Sequence, residues 1–179
     1  MTACPCAQEL VAGAARERLV EQGFTEDEIE RVFDAVPVAT HNQRGIGRLC
    51  IGCPEGCDAE LQAETLLRIV EDSMSSEIFE LMKRPDERAV VEKAHRRPRF
   101  VEDCVREMLR GVAAAYPDLE PSAFVHARQE NLETIHQHNV VAERYGLFGE
   151  IAAELETGDH SQRHMTMREW LESPTLDRA

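Results

Sequence analysis

The chain has 179 residues, with 34 Asp and Glu against 20 Lys and Arg and a formal net charge of −14. That length allows one domain, or two small ones, able to bury roughly 70% of the unfolded surface, and the charge excludes binding nucleic acid or an anionic membrane through bulk electrostatics. No run approaches the ~18 consecutive apolar residues of a membrane span and no apolar core follows a basic start, so a cytoplasmic chain is expected, with its six cysteines as thiols or ligands rather than a disulfide framework.

The first element begins at once. "MTACPC" sets Cys4 and Cys6 one residue apart; if the backbone is extended there, both sulfurs face one side and can line one cavity. "AQELVAGAARERLVEQG" then keeps Leu10, Val11, Ala14, Ala15 and Leu19 on one stripe, which predicts a helix ending at Gly23. A second helix follows from the capping box of Thr25 with Glu28 and the staple of Phe24 with Ile29, running to about Ala35, before Pro37. These two make a helical hairpin.

"HNQRGIGRLCIGC" changes the pattern to glycine punctuation around a strand over Ile46 to Cys53, with His41 and Arg44 in the loop before it. Leu61, Leu66, Ile69, Val70, Ile78, Leu81 and Met82 predict one long amphipathic helix that breaks near Pro85, which makes "KRPDE" a junction between helices. "RFVEDCVREMLRGVAAAY" carries Val101, Cys104, Val105, Met108, Leu109 and Val112 at the spacing of a buried helix face, ended by Pro117. "AFVHARQENLETIHQHNVVAERYG" has strand-like ends around a polar, His-rich middle, and the tail from His160 to Ala179 is polar and weakly patterned. The order predicts an α+β fold with helices packed on one face of an antiparallel sheet.

Chemistry concentrates in a few places. His136 and His138 share a face if "LETIHQH" is a strand, and Glu133 joins His136 if it is a helical turn; imidazoles with a carboxylate serve metal binding or acid/base work. Cys50, Cys53 and Cys57 form a C-x2-C-x3-C set, either half of a zinc site lacking its fourth ligand or cysteines packed as small hydrophobes. Glu87 and Glu102, by pattern alone, are helix-surface carboxylates, and Cys104 belongs to a core.

"CPCAQE", "HNQRG", "KRPDE", "PRFVED" and "ETIHQHN", in that order from about Cys4 to Tyr145, resemble the prokaryotic type IB GTP cyclohydrolase family. The helical hairpin between CPC and HNQRG makes the chain similar to the archaeal, MptA-like branch. Its composition fits a salt-adapted member: Lys83 and Lys93 are the only lysines, although a GC-rich genome also favours arginine.

The resemblance implies a tunnelling fold (T-fold), antiparallel strands with two helices between the second and third, assembled into homo-oligomers with interfacial active sites. On that reading residues 1–45 are the metal-site segment with its hairpin, 46–159 the T-fold module and 160–179 a tail. A further module precedes CPC in the family, so the chain is expected to be shortened.

The resemblance implies Cys4, His41 and Glu87 as metal ligands, Cys6, Glu133 and His136 as catalytic groups, and Glu102 as the carboxylate that grips guanine. Arg44, with His138, is the candidate for the phosphates. A mixed S/N/O set suits Fe(II), with Zn(II) or Mn(II) as alternatives. The implied reaction is hydrolysis of the guanine imidazole ring of GTP, with release of formate and formation of 7,8-dihydroneopterin 2′,3′-cyclic phosphate. The alternatives are the triphosphate product of bacterial members, or a non-catalytic module in which Cys50, Cys53 and Cys57 hold zinc.

Overall fold

The computed structural model describes residues 1–160 and 163–173. Its elements run β1 (Thr2–Ala3), α1 (Pro5–Glu21), α2 (Glu26–Ala35), β2 (Asn42–Gly52), α3 (Ala63–Asp72), α4 (Arg84–Arg96), α5 (Val101–Ala115), β3 (Phe124–Leu132), β4 (Val140–Leu147), α6 (Phe148–Thr157) and α7 (Met167–Glu172). The four strands form one antiparallel sheet in the order β1-β2-β3-β4, so the fold is α+β as expected. Three helices lie between β2 and β3. No described helix is long and apolar enough to cross a membrane.

The chain divides into two compact units. The first comprises residues 1–45, 74–100 and 131–140; the second comprises 46–73, 101–130 and the described part of 141–179. In the first unit, α1 begins earlier than expected, and this overturns the extended reading of CPC. Pro5 sits in the first turn, where its missing N–H removes no helical bond, and the Cys4 sulfur caps the helix by accepting from the Ala7 N–H at 3.4 Å. Cys6 is therefore an exposed residue of the first helical turn rather than a strand neighbour of Cys4.

The apolar stripe of α1 meets no core: none of its residues is buried, and Leu10 is 71% exposed. What joins it to α2 is Arg16, which pairs with Glu26 and Glu30 and lies 5.7 Å over the Phe33 ring. The capping box of α2 forms as predicted, with Glu28 accepting from the Thr25 N–H at 2.9 Å, and Ile29 is fully buried.

The single long helix expected over residues 61–82 is not there. Its continuation is taken by a different bonding choice: the Ser75 hydroxyl accepts from the Ala3 N–H at 3.0 Å and the Ser76 N–H donates to the Met1 carbonyl at 3.1 Å, so the chain runs along β1 and not into another helical turn. Leu81, placed by periodicity on the buried face, is 91% exposed. Pro85 opens α4 instead of ending a helix.

In the second unit α5 is the core helix: Val101, Cys104, Val105, Met108, Leu109 and Val112 are all buried. It packs against α3 and α6. On β3, Val125, Ala127, Gln129 and Asn131 alternate as buried positions, the period of a half-covered sheet.

The tail that looked unpatterned contains α7, opened by a capping box of Thr166 with Glu169 and docked through Trp170. Trp170 is 8% exposed, donates from Nε1 to the Ser122 carbonyl at 2.8 Å, and stands 5.8 Å from the Phe124 ring.

Candidate functional site

The predicted site residues other than Glu102 fall in the first unit. The register that assembles several of them is short. Thr2 pairs with Gln43 and Ala3 with Asn42, and the Cys4 N–H continues the ladder to the His41 carbonyl at 3.3 Å. Cys4 and His41 are thereby adjacent although 37 residues apart in sequence. It follows that His41 precedes a strand directly and that Arg44, expected in a loop, lies on β2 with its side chain exposed.

The connection between β3 and β4 comes back over this point. Segment 133–139 is a bend, neither the strand nor the helical turn that spacing left open. His136 nevertheless stacks on His138 with ring centroids 5.5 Å apart and stands edge-on to His41 at 6.3 Å. The Thr134 hydroxyl is 3.4 Å from His41 Nδ1 and donates to the Asn42 carbonyl at 3.4 Å. Glu133 is half-buried and accepts from Gln43 Nε2 at 3.1 Å. Cys4, His41, Glu133, His136 and His138 thus gather at one end of the β1-β2-β3 ladder.

Within the first unit Glu87 is not part of this group, and Glu102 belongs to the second unit. Glu87 is exposed in the first turn of α4, and Glu102 is exposed in the first turn of α5 in the second unit. A metal held by Cys4, His41 and Glu87 is therefore only partly prepared for. Two donors are neighbours, the Cys4 sulfur already caps α1, and among the described residues no three Cys, His, Asp or Glu side chains gather closely enough to hold an ion.

Sequence reasoning missed three supporting residues. Gln43, 5% exposed, orients Glu133. Gln8 donates from Nε2 to the carbonyls of Val38 at 2.8 Å and His95 at 2.5 Å. His95, 4% exposed, faces the Val91 carbonyl with Nδ1 at 2.9 Å and the Thr40 carbonyl with Nε2 at 3.0 Å, which fixes the residue just before His41. Gln8 and Gln43 lie inside the CPCAQE and HNQRG motifs; His95 carries no local signal beyond falling on the face of α4 that buries Val90 and Ala94.

The three-cysteine set behaves as a pair plus one. Cys50 is exposed on β2. A turn closed by the Cys57 N–H to the Pro54 carbonyl at 3.2 Å, with Gly56 at φ 86°, brings Cys57 back to Cys53. Burial, and then the hydrogen bond with Cys57, push the Cys53 thiol up to about 11.

The family model described as type I GTP cyclohydrolase folE2 matches residues 1–142. The chain belongs to that family. Among curated relatives of this folE2-family chain, GTP cyclohydrolase MptA of Methanoculleus marisnigri is 49% identical over 158 residues, covering 88% of this chain and 50% of the relative. The protein of the same name from Methanothermobacter thermautotrophicus is 50% identical over 157 residues, 87% of this chain and 48% of the relative. That of Methanococcus vannielii is 46% identical over 156 residues, 87% and 49%. The chain spans about half the length of the curated relatives it matches.

Proposed function

We propose that this chain carries the catalytic part of an MptA-type GTP cyclohydrolase, which opens the guanine imidazole ring of GTP, releases C8 as formate and forms 7,8-dihydroneopterin 2′,3′-cyclic phosphate for pterin biosynthesis in the cytoplasm. The observation that carries this reading is Glu133 held by Gln43, together with His136 edge-on to His41, in a chain whose family model covers residues 1–142. The chemistry needs proton transfers at ring nitrogens as bonds to C8 break, and a positioned carboxylate, an imidazole and a thiol supply them. Glu133 and His136 are the acid/base pair, with Cys6, exposed in the first turn of α1, as the third group.

Glu102 is the specificity residue in this proposal. A carboxylate accepts two hydrogen bonds at once from guanine's N1–H and 2-amino group, a pattern adenine does not offer. Arg44 and His138 are assigned to the phosphates.

The proposal includes a divalent metal, Fe(II) with Zn(II) or Mn(II) as alternatives, with Cys4 and His41 as its neighbouring donors and Glu87 as the third. Such an ion, when bound, acidifies its water toward pKa ~7. The scattered third donor favours completion of the site in a T-fold homo-oligomer, where a second copy supplies what one chain leaves apart.

Anaerobic incubation of the purified chain with GTP and Fe(II), following formate and the mass of the pterin, tests the reading. Formate with the cyclic phosphate is expected, and a triphosphate product would assign the bacterial-type reaction. No formate from a folded, metal-loaded chain would overturn catalysis by this polypeptide. In that event loss of metal on replacing Cys50, Cys53 and Cys57 by serine would identify a metal-binding module.

A further inference from the structure

The second unit holds a cavity of about 410 Å³ bounded by α5, β4 and α6, within the range of small-ligand sites. Val105, Leu109 and Ile151 give it an apolar wall, and Glu102, Arg106 and Arg110 line it from α5. Those three charged residues are at i, i+4 and i+8, hence on one face of the helix. With a rise of 1.5 Å per residue, Arg106 stands about 6 Å and Arg110 about 12 Å along the axis from Glu102.

The other two carboxylates from β4 and α6, Glu143 and Glu154, already have cationic partners. Arg144 is held by Glu154 at 2.9 Å, with both side chains largely buried, and Glu143 is 3.3 Å from His126 and 3.8 Å from Arg128. Arg106 and Arg110 are engaged differently. Arg106 pairs with Asp103 at 3.0 Å and Arg110 with Glu107 at 2.6 Å, both exposed i,i+3 pairs on their own helix, the weakest class of ion pair and one a stronger anion displaces.

We propose that Arg106 and Arg110 read the phosphates of the nucleotide whose guanine edge Glu102 takes, so that α5 measures the ligand from base to phosphate. This rests on the GTP reading above and adds to it a phosphate site on α5, separate from Arg44. A planar guanidinium presents paired N–H groups to phosphate oxygens, which makes arginine the fitting residue at both positions. The ribose spans the interval between carboxylate and cations, over the apolar wall.

The test is equilibrium titration of the full chain with GTP and with guanosine. The chains compared are the wild type, Arg106→Ala with Arg110→Ala, Arg106→Lys with Arg110→Lys, and Glu102→Gln. The double alanine variant is expected to bind GTP at least about tenfold more weakly with guanosine affinity unchanged, the double lysine variant to recover part of the loss, and Glu102→Gln to weaken both ligands. GTP affinity unchanged in the double alanine variant overturns the phosphate role while leaving the GTP reading standing. A wild-type chain that binds neither ligand overturns both. Equal loss of GTP and guanosine in a double alanine variant of unchanged circular dichroism overturns the phosphate assignment, since it would make the arginines supports of the cavity.

Discussion

At the scale of the residue, Gln43 and Cys53 show what surroundings do to ordinary side chains. Gln43 is buried, and its amide holds Glu133 at 3.1 Å; in the proposed reaction Glu133 touches substrate and Gln43 positions it. Glu133→Gln is expected to lower kcat by about 10²–10⁴. Gln43→Ala is expected to lower kcat less and leave the KM for GTP near its wild-type value; a change confined to KM would show that Gln43 acts on binding. The thiols sort by exposure and by pKa. At pH 8, iodoacetamide followed by mass spectrometry is expected to label exposed Cys6 and Cys50 ahead of buried Cys104 and of Cys53. Cys53 keeps its proton up to about 11, raised from 9.0, so its labelling should climb only as pH passes through that window. The sign for stability is the same: a raised thiol pKa leaves the folded state at full strength below 9.0 and weakens it as pH rises toward about 11. Equal labelling of Cys53 and Cys6 at pH 8 would contradict the raised pKa of Cys53.

At the scale of the element, α5 and α3 meet so closely that a methyl group matters. A Cβ added at Gly111 would come 2.7 Å from Ile69 Cγ2, and a β-branched side chain in a helix has almost no other rotamer to take. Gly111→Ala gains about 1 kcal/mol of helix propensity against an overpacking cost of about 1–3 kcal/mol. A lower thermal midpoint is expected, with a smaller loss when Gly111→Ala is made in a chain already carrying Ile69→Ala, which removes the clashing Cγ2; a higher midpoint in the single variant would mean the two helices separate freely. This element also marks where the sequence was readable. The buried face of α5 and the capping box of α2 follow from residues within one helix, and those were legible. The end of α3, the start of α1 and the two-residue β1 were not, because each depends on a partner distant in sequence: Ser75 with Ala3, Thr2 with Gln43, Cys4 with His41. In the site, the chemical groups could be named from their motifs; Gln43 lies inside one of them but its hold on Glu133 shows only in the fold, and His95 announces nothing until burial and two carbonyls surround it. The α7 helix has a capping box of Thr166 with Glu169, a local signal passed over in the sequence, and its one buried residue is Trp170.

At the scale of the whole molecule, a net charge of −14 makes self-repulsion a standing cost of compactness. The exposed ion pairs such as Arg88 with Glu92 and Arg168 with Glu172 offset little of it. Raising salt from about 0.01 M to about 1 M shortens the screening length from about 30 Å to about 3 Å, so the thermal midpoint is expected to rise by at least about 2 °C, the shift that about 1 kcal/mol produces in a chain of this size. A midpoint that falls with salt would assign net stability to the ion pairs instead. The Gln8 amide, described above as a support, has a further consequence at this scale. It joins the entry of the helical pair to its exit, since Gln8 lies at the start of α1 and Val38 just beyond α2. The stretch between is thus a lobe clasped at the neck, fastened beside Cys4 and His41 while its outer turn at Gly23 carries no neighbour within 4 Å of an added Cβ. Such a lobe transmits little from tip to neck. Glycine–serine residues inserted at Gly23 should leave kcat and metal loading unaltered, while Gln8→Glu, which sets a carboxylate against two carbonyl oxygens, should open the clasp and disturb both.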